Sequence, residues 1–175
     1  MLAGVGQLVE ALGARGVEVV DGPDGVDVVV VGMARHLTYD LLARASVAVR
    51  RGARLLATND DATYPTPEAL LPGGGAILAA VKTAAGTTAE VAGKPHAAMA
   101  ELVRARLGPD GVVVGDRADT DGRFAETLGY RFALVLSGVT TAADLPVTPT
   151  PAIVAADLAG VVAAMGIEVP ACRSG

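Results

Sequence analysis

The run VDVVVV at Val26–Val31 is apolar on both faces of an extended chain. A strand of that kind needs cover on both sides, which a parallel sheet flanked by helices provides. The rest of the chain keeps the same alternation. Short strand-like runs fall at Val17–Val20, Arg54–Ala57, Glu90–Ala92, Val112–Val114 and Phe132–Leu136, with a weaker one at Ala152–Val154. Helical patterns fall at Tyr39–Arg51, Gly73–Gly86, Ala97–Leu107, Asp119–Leu128 and Ala155–Met165. Thr38 is placed to cap the first of these. Its Leu41, Leu42, Ala45, Ala48 and Val49 share one face, and Gly52 stands where a helix end needs a left-handed residue. This order predicts an α/β fold with a parallel sheet. The polar loop Thr58–Pro72 holds three prolines and is the expected domain seam, dividing the chain into 1–72 and 73–175.

Composition excludes several classes. The 175 residues carry a net charge of -5 and only five aromatic side chains, two Phe and three Tyr. With neither a basic patch nor an aromatic platform, a nucleic-acid partner is not expected. A phosphate ester would need its charge met locally, because the global field opposes it. The one cysteine, Cys172, cannot form an internal disulfide and reads as a tolerated tail residue. No apolar run reaches the ~18 residues of a membrane span. The opening MLAGVGQLVEALGARG lacks a basic start and is interrupted by Gln7 and Glu10, so no signal peptide is expected and a cytoplasmic location follows.

In parallel α/β sheets, ligands sit beyond the carboxyl ends of the strands. Two strand ends carry chemistry. In VVVGDRADTD, Asp116, Asp119 and Asp121 place three carboxylates within six residues. They repel unless a cation or hydrogen-bond donors offset them. A hard cation such as Mg²⁺ suits them; an acidic first helical turn is the other reading. An EF-hand register fails, because its first and twelfth positions fall on Arg117 and Leu128. At Gly93–Pro95, GKP puts Lys94 just past a strand, either as a point charge for phosphate or as a solvated loop lysine. Gly73–Gly75 reads as a close-packed helix start, since it completes neither a dinucleotide fingerprint nor a P-loop. His36 and His96 have no metal-ligand spacing.

In order, ATNDDATYPTPEALLPGGGAILAAV, GKP, VVVGDRADTD and ALVLSGVTT resemble the C-terminal two-thirds of NagD-like phosphatases, subfamily IIA of the haloacid dehalogenase (HAD) superfamily. The resemblance implies a HAD-like Rossmannoid core with a parallel sheet in residues 73–175 and part of an α/β cap in residues 1–72. It implies Mg²⁺-dependent hydrolysis of a phosphate monoester through an aspartyl-phosphate. Carried over, Lys94 neutralises the crowded anions, Asp116 is the metal ligand, and Asp121 supports the metal site, with Asp119 a weaker alternative. The cap's substrate loop falls on Thr58–Tyr64, where Asn59, Asp61 and Tyr64 would contact the leaving group, an Asx-rich turn being the other reading. A small phosphorylated metabolite is the implied partner, and a homodimer through the cap is implied as well.

The sequence departs from this family at the point that matters most. No Asp-x-Asp-Gly follows an apolar strand; the DTDG of Asp119–Gly122 belongs to the GDR block. Ala34 and Arg35 stand where an acidic residue is usual, and Gly122 replaces a usual apolar residue. The expectation is an N-terminally truncated phosphatase whose core lacks its central strand, with unpaired sheet edges and no activity as it stands. The alternative outside enzymology is a non-catalytic small-molecule-binding or regulatory α/β domain.

Overall fold

A computed structural model of the chain describes residues 2–3 and 6–167; Cys172 lies outside them. The chain forms two compact units, Met1–Gly93 and Lys94–Gly175. Both are α/β units built on parallel sheets, as the alternating pattern predicts.

In the first unit, β1 (Leu2–Ala3), β2 (Val28–Val31), β3 (Arg54–Ala57) and a further strand, Glu90–Val91, form one parallel sheet. The helix α1 (Gly6–Gly13) follows β1, and α2 (Tyr39–Arg50) joins β2 to β3. Thr38 caps α2 as expected, its Oγ1 accepting the Leu41 N–H at 3.2 Å. The loop after β3 turns back as an antiparallel hairpin, β4 (Thr63–Pro65) and β5 (Leu70–Pro72), with Tyr64 opposite Leu71. The helix α3 (Gly74–Ala85) follows and leads to β6, the Glu90–Val91 strand. Val29 and Val31 pack with Leu55 and Ala57 against Ala45 and Ala48 of α2 and Ile77, Leu78 and Val81 of α3. Val28 and Val30 are only half-buried, so β2 is fully covered on one face rather than on both.

In the second unit, α4 (Ala97–Leu107) precedes β7 (Val112–Gly115). One turn of π-helix, Ala118–Gly122, opens into α5 (Arg123–Leu128). Then come β8 (Arg131–Val135), β9 (Ile153–Ala155) and α6 (Leu158–Ala164). The sheet is parallel in the order β7-β8-β9. Ala133 and Leu134 of β8 are completely buried. Phe124 and Leu128 of α5 close over Ala100 of α4. Among the described residues β7 pairs with β8 alone, so a Val-Val-Val-Gly strand stands at a sheet edge with Val114 exposed.

Several expectations need correction. Val17–Val20 is not a strand; it pairs with no strand among the described residues, and Val17 is exposed. The helix expected over Asp119–Leu128 begins as the π turn, in which the Gly122 N–H reaches back to the Arg117 carbonyl at 3.2 Å. The loop Thr58–Pro72 is not where the units part. Residues 73–93 complete the first unit, because α3 shares its core with α2 and β6 extends the sheet of β3 through the pairs Leu56–Glu90 and Ala57–Val91. No helix among the described residues is long and apolar enough to cross a membrane.

Truncating Leu134 to alanine removes a side chain that is completely buried at the centre of β8. The expected loss is about 2–5 kcal/mol, to be read from urea unfolding followed by circular dichroism; an unchanged midpoint would contradict the packing described.

Candidate active site

β7 delivers Asp116 from its carboxyl end. Just before it, Gly115 makes room for a neighbour: a methyl group there would overlap the Asp121 side chain. Asp121 is 5 % exposed. A carboxylate so placed needs donors to replace water. It has two. Lys94 Nζ donates to Oδ1 at 2.6 Å, and the Arg117 backbone N–H donates to Oδ2 at 3.2 Å. Both oxygens are engaged, and the carboxylate thereby ties Lys94 to the turn after β7. Lys94 is about half exposed and keeps two N–H donors with no protein partner among the described residues. Its loop is tied down from α5, where the Thr127 hydroxyl donates to the Pro95 carbonyl at 2.8 Å.

Asp116 is held from the other side, by the turn after β8. The Val139 N–H donates to its Oδ2 at 2.7 Å, and the Thr140 N–H to its backbone carbonyl at 3.1 Å. Its Oδ1 has no hydrogen-bond partner among the described residues. Asp119 is turned to a different use. Arg117 grips it with two hydrogen bonds, 3.2 and 2.9 Å. That hydrogen bonding, aided by the guanidinium charge and opposed by partial burial, holds the Asp119 carboxyl below its ordinary value. The repulsion among the three aspartates is thus offset by Lys94, Arg117 and backbone N–H groups, without need of a cation.

Among the described residues no group of three or more His, Cys, Asp or Glu side chains is arranged to hold a metal. One open carboxylate oxygen, Asp116 Oδ1, is nevertheless the hard donor that Mg²⁺ takes when phosphate and waters complete its shell. The donor set fits that ion through a single protein ligand.

The three substrate-loop residues lie in the first unit. Asn59 Nδ2 donates to Asp61 Oδ2 at 2.7 Å, and the Asp61 carbonyl accepts the Gly75 N–H at 2.9 Å. Methyl groups at Gly73, Gly74 or Gly75 would overlap residues 59–61, so the glycine trio is a close-packing device beneath this loop. Tyr64 stands apart from that pair. It lines a largely apolar pocket of about 290 Å³ together with Met33, Arg35, Leu37, Leu71 and Ile77.

Sequence reasoning assigned no role to Arg117, Gly138 or the Val139 N–H. The ALVLSGVTT block contained two of them, but a backbone N–H carries no residue signature, and Arg117 reads as part of a motif rather than as a partner. Gly122, unusual after DTD, has a packing reason: a side chain there would meet Phe132 and Pro149.

Comparison with known proteins places these features in context. The HAD-hydrolase-like family model matches residues 91–161. A stretch of 122 residues is 43% identical to D-glycerol 3-phosphate phosphatase of Mycobacterium tuberculosis, covering 69% of this chain and 35% of that protein. The solved p-nitrophenyl phosphatase from Archaeoglobus fulgidus is similar with a TM-score of 0.86 at 33% identity, over 93% of this chain and 66% of that one. The glycerol phosphate phosphatase from Mycobacterium tuberculosis in complex with magnesium gives 0.81 at 37% identity, over 91% and 50%. The chain therefore spans between about a third and two thirds of the length of these relatives.

Held below 3.8, the Asp119 carboxyl contributes stability that is complete above that value and is lost as pH falls through its lowered folded pKa. Replacing Arg117 with methionine should raise the Asp119 midpoint toward 3.8 in a carboxyl ¹³C titration, while keeping the backbone N–H that serves Asp121. An unmoved midpoint would show that Arg117 is not the cause.

Proposed function

Because the chain belongs to the haloacid dehalogenase-like hydrolase superfamily, in its NagD-like branch, we propose that it carries the charge-stabilising half of a Mg²⁺-dependent phosphate monoesterase. The observation that carries this reading is the 2.6 Å pair between Lys94 and Asp121, one step from Asp116 at the carboxyl end of β7. Phosphoryl transfer depends chiefly on positioning and on meeting negative charge, and these residues are fitted to both.

In the proposed mechanism, Lys94 offers two free ammonium N–H donors to a phosphoryl oxygen while Asp121 fixes the side chain from behind. Asp116 is the residue that would hold Mg²⁺, and the ion would supply charge neutralisation for the phosphate. The 175 residues contain no Asp-x-Asp-Gly at a strand end, so the attacking carboxylate is not among these groups. The open edge of β7, apolar and unpaired among the described residues, suits a further parallel strand bearing one. Without it, turnover should fall on the order of 10⁶-fold.

For the substrate we propose a small phosphorylated metabolite of the polyol class, by analogy with the glycerol phosphate named for the relatives. Asn59, Asp61 and Tyr64 of the first unit are the proposed substrate-binding residues. Assembly as a homodimer through the first unit remains part of the proposal.

Two measurements test this. The purified 175-residue chain should show no Mg²⁺-dependent release of p-nitrophenol from p-nitrophenyl phosphate above buffer; robust turnover refutes the assignment of an absent nucleophile. Inorganic phosphate with Mg²⁺ should bind the chain, and Lys94→Ala should weaken that binding by about tenfold or more, the loss of a charge-assisted hydrogen bond. Indifference to both Mg²⁺ and Lys94→Ala would favour a non-catalytic binding domain.

A further inference from the structure

The geometry points to the turn Gly138–Thr140 as a clasp that holds Asp116 by one carboxylate oxygen and leaves the other available as a single-point metal ligand. This rests on the proposed role of Asp116 and adds a positioning device to it.

Three observations carry it. The Val139 N–H occupies Oδ2 at 2.7 Å. The Thr140 N–H fixes the Asp116 main chain at 3.1 Å. Gly138 lies against the carboxylate so closely that a methyl group would overlap Oδ2, Cβ and Cγ of Asp116. The glycine is not needed for backbone freedom, because Gly138 is not among the positive-φ glycines. Its lack of a side chain serves only the space beside Asp116. Gly138 and Val139 are exposed, and Thr140 is half-buried. An added methyl group would meet the Asp116 Cβ, which does not move when that side chain rotates, so the turn itself has to shift away from Asp116.

The consequence is chemical. With the Val139 N–H on Oδ2, coordination through Oδ1 alone is favoured over chelation by both oxygens. Ca²⁺ tolerates or exploits bidentate carboxylates in a loose shell. Mg²⁺, and Mn²⁺ when it replaces Mg²⁺ in an octahedral oxygen shell, is served by one well-aimed oxygen. Groups that orient a ligand from outside the metal shell typically control metal affinity by about 10- to 100-fold. The clasp is the group placed to do so here.

The test uses the full 175-residue chain, ¹⁵N-labelled, with Mn²⁺ as the probe. In the unmodified chain the Val139 amide should exchange more slowly than that of Gly138, and Mn²⁺ should broaden the Val139 and Thr140 resonances. Gly138→Ala should push the turn off Asp116, abolish the Val139 protection and weaken Mn²⁺ binding at least tenfold in the folded chain. Val139→Pro removes the N–H without adding an atom at residue 138 and should weaken Mn²⁺ binding to the same extent. An unprotected Val139 amide in the unmodified chain overturns the clasp, whatever the metal does. Equal Mn²⁺ affinity in the folded variants overturns the clasp while leaving Asp116 as a ligand. A protected Val139 with no Mn²⁺ broadening overturns the metal role of Asp116 and the clasp's purpose with it.

Discussion

The buried carboxylate of Asp121 sets the geometry of the second unit. An ionised group at that depth is costly unless each oxygen finds a donor, and the donors come from separate parts of the chain. Lys94 arrives from the loop before α4, and the Arg117 N–H from the turn after β7. Gly115 leaves the space in which they meet. The π turn widens the backbone where α5 starts, and Thr127 of α5 returns to tie the loop of Lys94 through Pro95. Removing one of the two donors would leave a charge without compensation, which is why these elements behave as one construction.

Around that pair the three aspartates divide the work. Asp121 faces inward and orients a lysine. Asp119 faces outward and is spent on Arg117. Asp116 is the one with an oxygen to spare, and the turn after β8 determines which oxygen that is. Clustered carboxylates therefore do not by themselves demand a cation, because this fold balances most of their charge with its own donors. What singles out Asp116 is a carboxylate oxygen with no hydrogen-bond partner among the described residues.

The first unit solves a different problem, that of packing a polar loop against a helix start. The backbone of Asp60 and Asp61 presses directly on Gly73 and Gly75, and the Asn59 side chain on Gly74, so these glycines serve closeness and not dihedral angle. The hairpin that follows lifts Tyr64 out of this tight layer and into the wall of an apolar pocket. The loop thus separates a rigid base, Asn59 paired with Asp61, from a side chain with access to a ligand.

Local chemistry determined much of this from the residues alone. The alternation of apolar runs, the Thr38 cap, and the glycines ending α3 and α5 at φ of 70° and 74° are decided by neighbours within a few residues, so periodicity and turn chemistry reveal them. The order of the GKP and GDRADTD blocks likewise exposed Lys94, Asp116 and Asp121 as a set. Tertiary structure alone decided that the units part at Gly93, that Val17–Val20 finds no strand to pair with, and that Arg117 takes Asp119. It also decided that a glycine and two backbone N–H groups from the far side of β8 hold Asp116. Those outcomes depend on contacts between residues distant along the chain and on donors that every residue type possesses, and neither leaves a mark in the order of side chains.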